Sequence, residues 1–130
     1  MDSLIIKAII AKLPDIQAIY RYGSAGSVYE RKDSDVDIAF LINRTVSFQE
    51  MSELSLSLAQ LTSKDVDLHN MKDLPVTLRV QIIFYGVRIY CKDNVAAEAY
   101  DSYTLSDYVR LNEERHFILE DIRQREQIYG

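Results

Sequence analysis

A Gly-Ser pair and the aspartates that follow it are the residues of this 130-residue chain with the clearest chemical potential. Gly23 and Ser24 end a β-branched and aromatic segment, and ten residues separate Ser24 from Asp35. A glycine permits a tight turn and lets backbone amides approach a ligand closely. Free N–H groups at the start of a helix bind phosphate oxygens. We therefore expect Gly23 and Ser24 to contact a phosphate group.

Asp35 and Asp37 are two residues apart at the start of a predicted strand, so both carboxylates project from one face of the sheet. Val36 and Ile38 then point to the opposite face, into the core. Two like charges side by side are unfavourable unless a cation or solvent compensates them. Mg²⁺ is usually held by one or two carboxylates together with substrate phosphates. Although an isolated Asp-x-Asp is more often a solvated strand end, its combination with Gly-Ser favours a metal site.

A third acid, Asp67, lies in the short apolar segment that follows the next helix. It would complete a two-metal site that activates an attacking hydroxyl and stabilises a leaving pyrophosphate. Asp65 lies on the same predicted face and is the rival third ligand. His69 also shares this face, although a lone histidine at a strand end is more often structural.

The elements that position these residues follow from the spacing of the apolar residues. Predicted strands cover 16–22, 35–42, 64–70 and 87–91. Predicted helices cover 3–13 with Ser3 as the cap, 24–30, 48–62, 74–86, and two C-terminal helices over 95–128 that are broken near 102–105. This order predicts a single α/β (α+β) domain over residues 1–130. We expect a small mixed sheet of about four strands with helices packed on one face.

Composition excludes several other classes of protein. The formal net charge is −5, which argues against a protein that coats nucleic acid, because counterion release requires clustered Lys and Arg. The single cysteine, Cys91, has no partner for an internal disulfide and gives no metal-ligand spacing. The N-terminus does not match a signal peptide and no apolar run reaches the length of a membrane span. We therefore expect a cytoplasmic protein.

The segment YGSAGSVYERKDSDVDIAFLI resembles the G-S-x10-D-x-D signature of the polymerase-β-like nucleotidyltransferase superfamily. The short length is similar to the minimal nucleotidyltransferases (MNT) of that superfamily. The segments DVDLHNMKDLPVTLRVQIIFYGVRIYCKD and ERHFILEDIRQREQIYG also resemble this group, so the resemblance covers roughly the whole chain. One departure is the stretch 25–28, where many relatives have an Arg-Gly pair. Arg31 and Lys32 lie nearby as alternative phosphate contacts.

The resemblance implies a Mg²⁺-dependent enzyme that transfers AMP from ATP to a hydroxyl. By position, Gly23 and Ser24 would contact the triphosphate, while Asp35, Asp37 and Asp67 would bind two Mg²⁺ ions and act in catalysis. Members of this group commonly pair with a HEPN-family ribonuclease toxin, and they neutralise it by adding AMP to one of its tyrosines.

Three other interpretations remain open. The chain would be a binding-only antitoxin if its metal site were vestigial. A nucleotidyltransferase acting on a small-molecule hydroxyl is a second possibility, although such enzymes usually carry an additional domain. Arg110 and His116 fit the loose R-x4–6-H pattern of the HEPN ribonucleases themselves, but the strand-rich first ninety residues contradict an all-helical HEPN bundle. We therefore expect His116 to be a surface or interface residue.

Overall fold

The computed structural model describes residues 1–23 and 35–129, with side chains described as far as residue 125. Its elements are α1 (Asp2–Lys12), β1 (Ala18–Tyr22), β2 (Val36–Leu41), α2 (Phe48–Thr62), β3 (Val66–Asn70), α3 (Val76–Tyr85), β4 (Val87–Cys91) and α4 (Asn94–Tyr129), with a short 3-10 helix (Met71–Asp73) between β3 and α3. These bounds confirm every strand that the sequence predicts. The helix predicted over 24–30 lies outside the described residues.

The four strands form one mixed sheet in the order β3-β2-β1-β4. β1 is antiparallel to both of its neighbours, β2 and β4. β2 and β3 are parallel. The helix α2 connects them and returns the chain to the end of the sheet at which β2 begins. The predicted fold class, a small mixed α/β sheet, is confirmed.

One face of the sheet is covered by α1 and α2. The apolar residues at alternate positions of β1, β2 and β3 point to this face and are buried against the two helices; the cluster includes Ile5, Ile9, Ile19, Val36, Ile38, Phe40, Leu54, Leu58 and Leu68. This arrangement confirms that Val36 and Ile38 point into the core. The hydroxyl of Ser47 accepts a hydrogen bond from the Glu50 amide and so fixes the start of α2.

Among the described residues, α3 and α4 cover part of the other face of the sheet. Tyr20, Ala39 and Leu41 are buried on this side, and they pack with Ile82 of α3 and Tyr100 of α4. The prediction that the helices pack on one face was therefore incomplete. The sequence of β2 explains why helices lie on both faces of the sheet. The apolar run after Asp37 is continuous, as is typical of a strand buried on both sides.

The C-terminal region forms one continuous helix, and the break predicted near 102–105 was wrong. Neither Pro nor Gly occurs between 94 and 129, so nothing in the backbone interrupts the helix. Thr104 lies in the predicted break and is buried against the body of the protein. Further along, the apolar side chains of α4 are largely exposed; they are Val109, Phe117, Ile118, Leu119 and Ile122.

The sequence predicts Ser3 as the cap of the first helix and Gly86 as the stop of the helix over 74–86, and the two predictions had different outcomes. α1 begins at Asp2 with Met1 as its cap, so the prediction that Ser3 caps it was wrong. α3 ends at Tyr85 and Gly86 follows it, which confirms the predicted stop. Within the part of the chain that the structure describes, no helix is long and apolar enough to cross a membrane.

Candidate active site

The strand register places three polar side chains in one row across the open part of the sheet. Tyr22 of β1 pairs with Asp37 of β2, and Asp37 pairs with Asp67 of β3. Residues paired in this way point to the same face, and neighbouring strands lie about 4.8 Å apart. We call Tyr22, Asp37 and Asp67 the acid row. Its two carboxylates therefore stand on adjacent strands of the same face.

The electrostatics of the acid row centre on Asp37, which is half-buried. Burial raises the pKa of its carboxyl, the charges of Asp67 and Asp35 raise it further, and His69 acts in the opposite direction. Asp35 precedes the first residue of β2 and is exposed. The charges of the other two predicted acids therefore both act on Asp37. The ionised form of Asp37 is held in an unfavourable environment that a bound cation would relieve.

The donor set fits Mg²⁺ in chemistry, because it consists of carboxylate oxygens. Within residues 1–23 and 35–125, no three His, Cys, Asp or Glu side chains already stand close enough to enclose an ion. The acids thus lie in an open arrangement on the sheet rather than in a closed cage. Mg²⁺ is bound in this way in nucleotide enzymes, where one or two carboxylates hold it and substrate phosphates supply other ligands.

The geometry favours Asp67 over its rival Asp65. Asp65 lies before β3 and is exposed, and its backbone carbonyl accepts a hydrogen bond of 2.8 Å from the amide of Val36. The charges that raise the pKa of Asp37 include Asp67 but not Asp65. The carboxylate of Asp67 is therefore the one that lies beside Asp37 in register and acts on its pKa.

Gly23 has a steric role in addition to its place at the end of β1. Its φ is +75°, in the left-handed region that side chains rarely adopt. A Cβ at this position would overlap Oδ2 of Asp37. Gly23 therefore leaves the space that the Asp37 carboxylate occupies. Ser24, the second predicted phosphate contact, lies outside the described residues, as do Arg31 and Lys32.

His69 lies in the next row of the sheet, two residues beyond Asp67 on the same face. Its Nε2 is 2.9 Å from Oδ1 of Asp67. The sequence placed His69 on the correct face but favoured a structural role. The contact gives it a specific neighbour at the site, because the ring lies against an exposed carboxylate of the acid row.

Tyr22 is a site residue that the sequence did not single out. Burial raises the pKa of its phenol to about 12, with further contributions from Asp37 and Asp67. The hydroxyl therefore stays protonated at neutral pH and is available as a hydrogen-bond donor. The sequence grouped Tyr22 with the core aromatics. Its position immediately before Gly23, on the same face as Tyr20, was the signal that could have distinguished it.

Comparison with known families agrees with this geometry. The family described as "Polymerase beta, Nucleotidyltransferase" matches residues 5–95, which include the acid row and all four strands. This chain belongs to that family. The nucleotidyltransferase resemblance and the fold class that the sequence predicts are therefore confirmed.

Individual relatives match over nearly the full chain. Protein adenylyltransferase MntA of Shewanella oneidensis is 30% identical over 121 residues, which are 93% of this chain and 86% of MntA. A crystal structure of a toxin-antitoxin with AMP-PNP matches with a TM-score of 0.83 and 30% identity, covering 93% of this chain and 97% of the other. The structure of a tri-AMPylated Shewanella oneidensis HEPN toxin in complex with its MNT antitoxin matches with a TM-score of 0.76 and 29% identity, over 94% and 98% of the two chains.

The two residues that fit the HEPN ribonuclease pattern lie on α4, away from the acid row. Arg110 is exposed and its guanidinium is 3.0 Å from Oδ1 of Asp107. His116 is exposed as well, and its ring packs edge-on against Phe117. His116 is therefore a surface residue, as expected, and the HEPN interpretation of this chain is excluded by its fold.

Proposed function

We propose that this protein is a Mg²⁺-dependent protein adenylyltransferase that acts as an antitoxin. It transfers AMP from ATP to a tyrosine hydroxyl of a partner HEPN ribonuclease toxin and so neutralises it. The observation that carries this proposal is the acid row beside Gly23, with Asp37 and Asp67 paired in register. The relatives support it, because one is named a protein adenylyltransferase and another was solved with an AMPylated HEPN toxin.

Asp35, Asp37 and Asp67 are the residues that would hold Mg²⁺. When bound, the ion neutralises charge on the triphosphate and makes the attacking hydroxyl more acidic. Asp37 is half-buried, and its carboxylate occupies the space that Gly23 leaves by lacking a Cβ. Gly23 and Ser24 would orient the triphosphate through the backbone and the serine hydroxyl.

Asp67 is our candidate for the general base. It is the more accessible of the two acids in register, with 58% of its side chain exposed, and His69 holds one of its oxygens. In the transfer step the tyrosine oxygen forms a bond to the α-phosphorus of ATP while the bond between the α-phosphorus and the bridging oxygen breaks. Pyrophosphate leaves and the phenol proton passes to Asp67. Positioning and charge neutralisation supply most of the acceleration in such transfers.

The proposal is tested by incubating the full chain with its HEPN partner, labelled ATP and Mg²⁺, followed by intact mass. We expect the partner to gain the mass of one or more AMP units. Asp37→Asn should abolish the gain, whereas Asp65→Asn, the matched control two residues from Asp67, should retain it. An absence of label on the partner with the parent chain would refute the transfer mechanism.

The binding-only alternative is tested with the same proteins. The double variant Asp35→Asn, Asp37→Asn should still bind the partner, because both positions lie at the edge of the open face. We expect it to fail to neutralise the ribonuclease. Neutralisation that survives in the double variant would establish a binding-only antitoxin instead.

A further inference from the structure

A polar cavity lies at the opposite end of the strands from the acid row. Its volume is about 540 Å³ and its polar lining consists of Gln17, Asn43, Lys72, Arg79 and Tyr100. Leu41, the last residue of β2, forms part of its wall. Since a strand rises about 3.3 Å per residue, this wall is about 13 Å from Asp37. The cavity is therefore separate from the proposed catalytic site.

Two buried polar atoms of this cavity lack a partner. Nε of Arg79 and the hydroxyl of Tyr100 are the buried side-chain atoms without a hydrogen bond in the described part of the chain. Buried polar groups are nearly always paired in folded proteins, and each exception requires an explanation. Both atoms belong to residues that line this cavity, which makes a ligand bound there a candidate partner for both side chains.

The cavity also carries positive charge that no described carboxylate neutralises. Within residues 1–23 and 35–125, no acidic side chain lies within ion-pair distance of Lys72 or Arg79. Arg79 also borders a neighbouring depression that contains Asp107 and Glu114. Asp107 is already paired with Arg110 at 3.0 Å. Among the described residues, Lys72 and Arg79 thus have no anionic partner in a chain of net charge −5, and an anion in the cavity would supply one.

The size and walls of the cavity indicate more than a simple anion. Pockets that hold small molecules range from about 300 to 1,000 Å³, and a bare phosphate would fill little of this one. The side chains of Leu41, Ile42 and Ala96, together with the ring of Tyr100, form its apolar part. This combination of a cationic end and an apolar wall suits a phosphate joined to a planar, weakly polar group.

We propose that this cavity is a second nucleotide site, which binds a nucleoside monophosphate. The guanidinium of Arg79 and the ammonium of Lys72 bind the phosphate, and the hydroxyl of Tyr100 donates a hydrogen bond to it. The base lies against the apolar wall, and the amides of Gln17 and Asn43 are available to its polar edge. This site is independent of the AMP-transfer activity proposed above.

The proposed AMP site is tested by calorimetric titration of the Asp37→Asn variant with AMP in EDTA. The substitution and the EDTA disable the proposed metal site, so that binding at the acid row does not contribute. We expect saturable binding at one site. Lys72→Ala and Arg79→Lys should each weaken it by about tenfold or more, because charge-assisted hydrogen bonds to phosphate are lost or misplaced. Arg110→Ala, which removes an exposed cation outside the cavity, should leave the affinity unchanged.

Tyr100→Phe provides a variant that keeps the packing of the fold. It removes only the unpartnered hydroxyl, so the melting temperature without ligand should stay the same or rise, while AMP affinity falls about fivefold. Three results would overturn the proposal: no AMP binding, an AMP affinity that Lys72→Ala, Arg79→Lys and Tyr100→Phe leave unchanged, or inorganic phosphate that binds as tightly as AMP. In the first two cases ordered water would account for the unpaired atoms.

Discussion

Replacing Asp37 with Asn should have opposite effects on activity and on stability. The substitution removes a predicted metal ligand, so transfer of AMP should be lost. It also removes a charge that the fold disfavours, since burial and the neighbouring acids Asp67 and Asp35 raise the pKa of this carboxyl. The metal-free variant should therefore be more stable than the metal-free parent.

The size of the stability gain follows from the register. Asp67 lies directly opposite Asp37 on the parallel strand, and Asp35 is two residues away on the same side. Cross-strand pairs contribute roughly 0.2–1 kcal/mol each, and like charges are destabilising by similar amounts. Because these carboxylates are partly solvated, screening reduces the effect and we expect about 0.5–1 kcal/mol in total. For a chain of this length the melting temperature should rise by about 2–4 °C.

The pH dependence of stability provides a second test of whether Asp37→Asn stabilises the metal-free protein. The pKa of Asp37 in the folded chain lies above its ordinary value of 3.8. The group therefore costs nothing below its unfolded pKa, and its full unfavourable contribution is present once the pH exceeds the folded pKa. The difference in unfolding free energy between Asp37→Asn and the parent should be largest near neutral pH and should narrow towards pH 4.

Urea unfolding in EDTA at both pH values measures this difference. Asp65→Asn is the matched control, because Asp65 is exposed and is not among the charges that raise the pKa of Asp37. Adding Mg²⁺ with a non-hydrolysable ATP analogue should stabilise the parent and not Asp37→Asn. At a hundredfold excess over Kd this stabilisation is about 2.7 kcal/mol, enough to reverse the order of the two proteins. An Asp37→Asn variant less stable than the parent in EDTA at neutral pH would refute the reasoning.

The remaining predictions concern the surroundings of the acids and the core. Gly23→Ala should lower the AMP-transfer rate at least about tenfold, since the added Cβ displaces the Asp37 carboxylate. Gly86→Ala, whose Cβ would lie 2.5 Å from a helix carbonyl, should lower the melting temperature and spare the rate per folded molecule. His69→Ala should reduce kcat about three- to tenfold in steady-state assays, with partial rescue by His69→Gln, and equal rates would exclude a positioning role. Phe40→Ala should cost about 3–5 kcal/mol in urea unfolding, and a loss below 1 kcal/mol would contradict its place in the core.

The elements around the site were predictable because their signals are local. The helix over 48–62 and the strand over 87–91 have the predicted bounds, since Ser47 caps the first and Gly86 precedes the second. The alternation after Asp35 also placed Asp37 on a face opposite Val36 without any knowledge of the fold. Local patterns therefore gave the faces of the strands.

The neighbours across the sheet were not predictable in the same way, because they depend on pairing between distant segments. Tyr22 and Asp67 are 45 residues apart and flank Asp37 only through the order β3-β2-β1. The residues of a strand indicate which of its side chains share a face. They do not indicate which other strand lies next to it. This is why His69 was placed on the correct face and Tyr22 was assigned to the core.

The position of the acids also explains why a stable protein can carry them. Along one face of β2, the side chain changes from half-buried Asp37 to fully buried Ala39 and Leu41 within four residues. α3 and α4 cover the far end of this face and leave the near end open. The packing that partly buries Asp37 both restricts its carboxylate and raises the pKa of that group. A more exposed position would leave the carboxylate mobile. A more deeply buried position would favour its protonated form. The boundary between the packed and the open part of the sheet is therefore where a restricted carboxylate can still meet a cation.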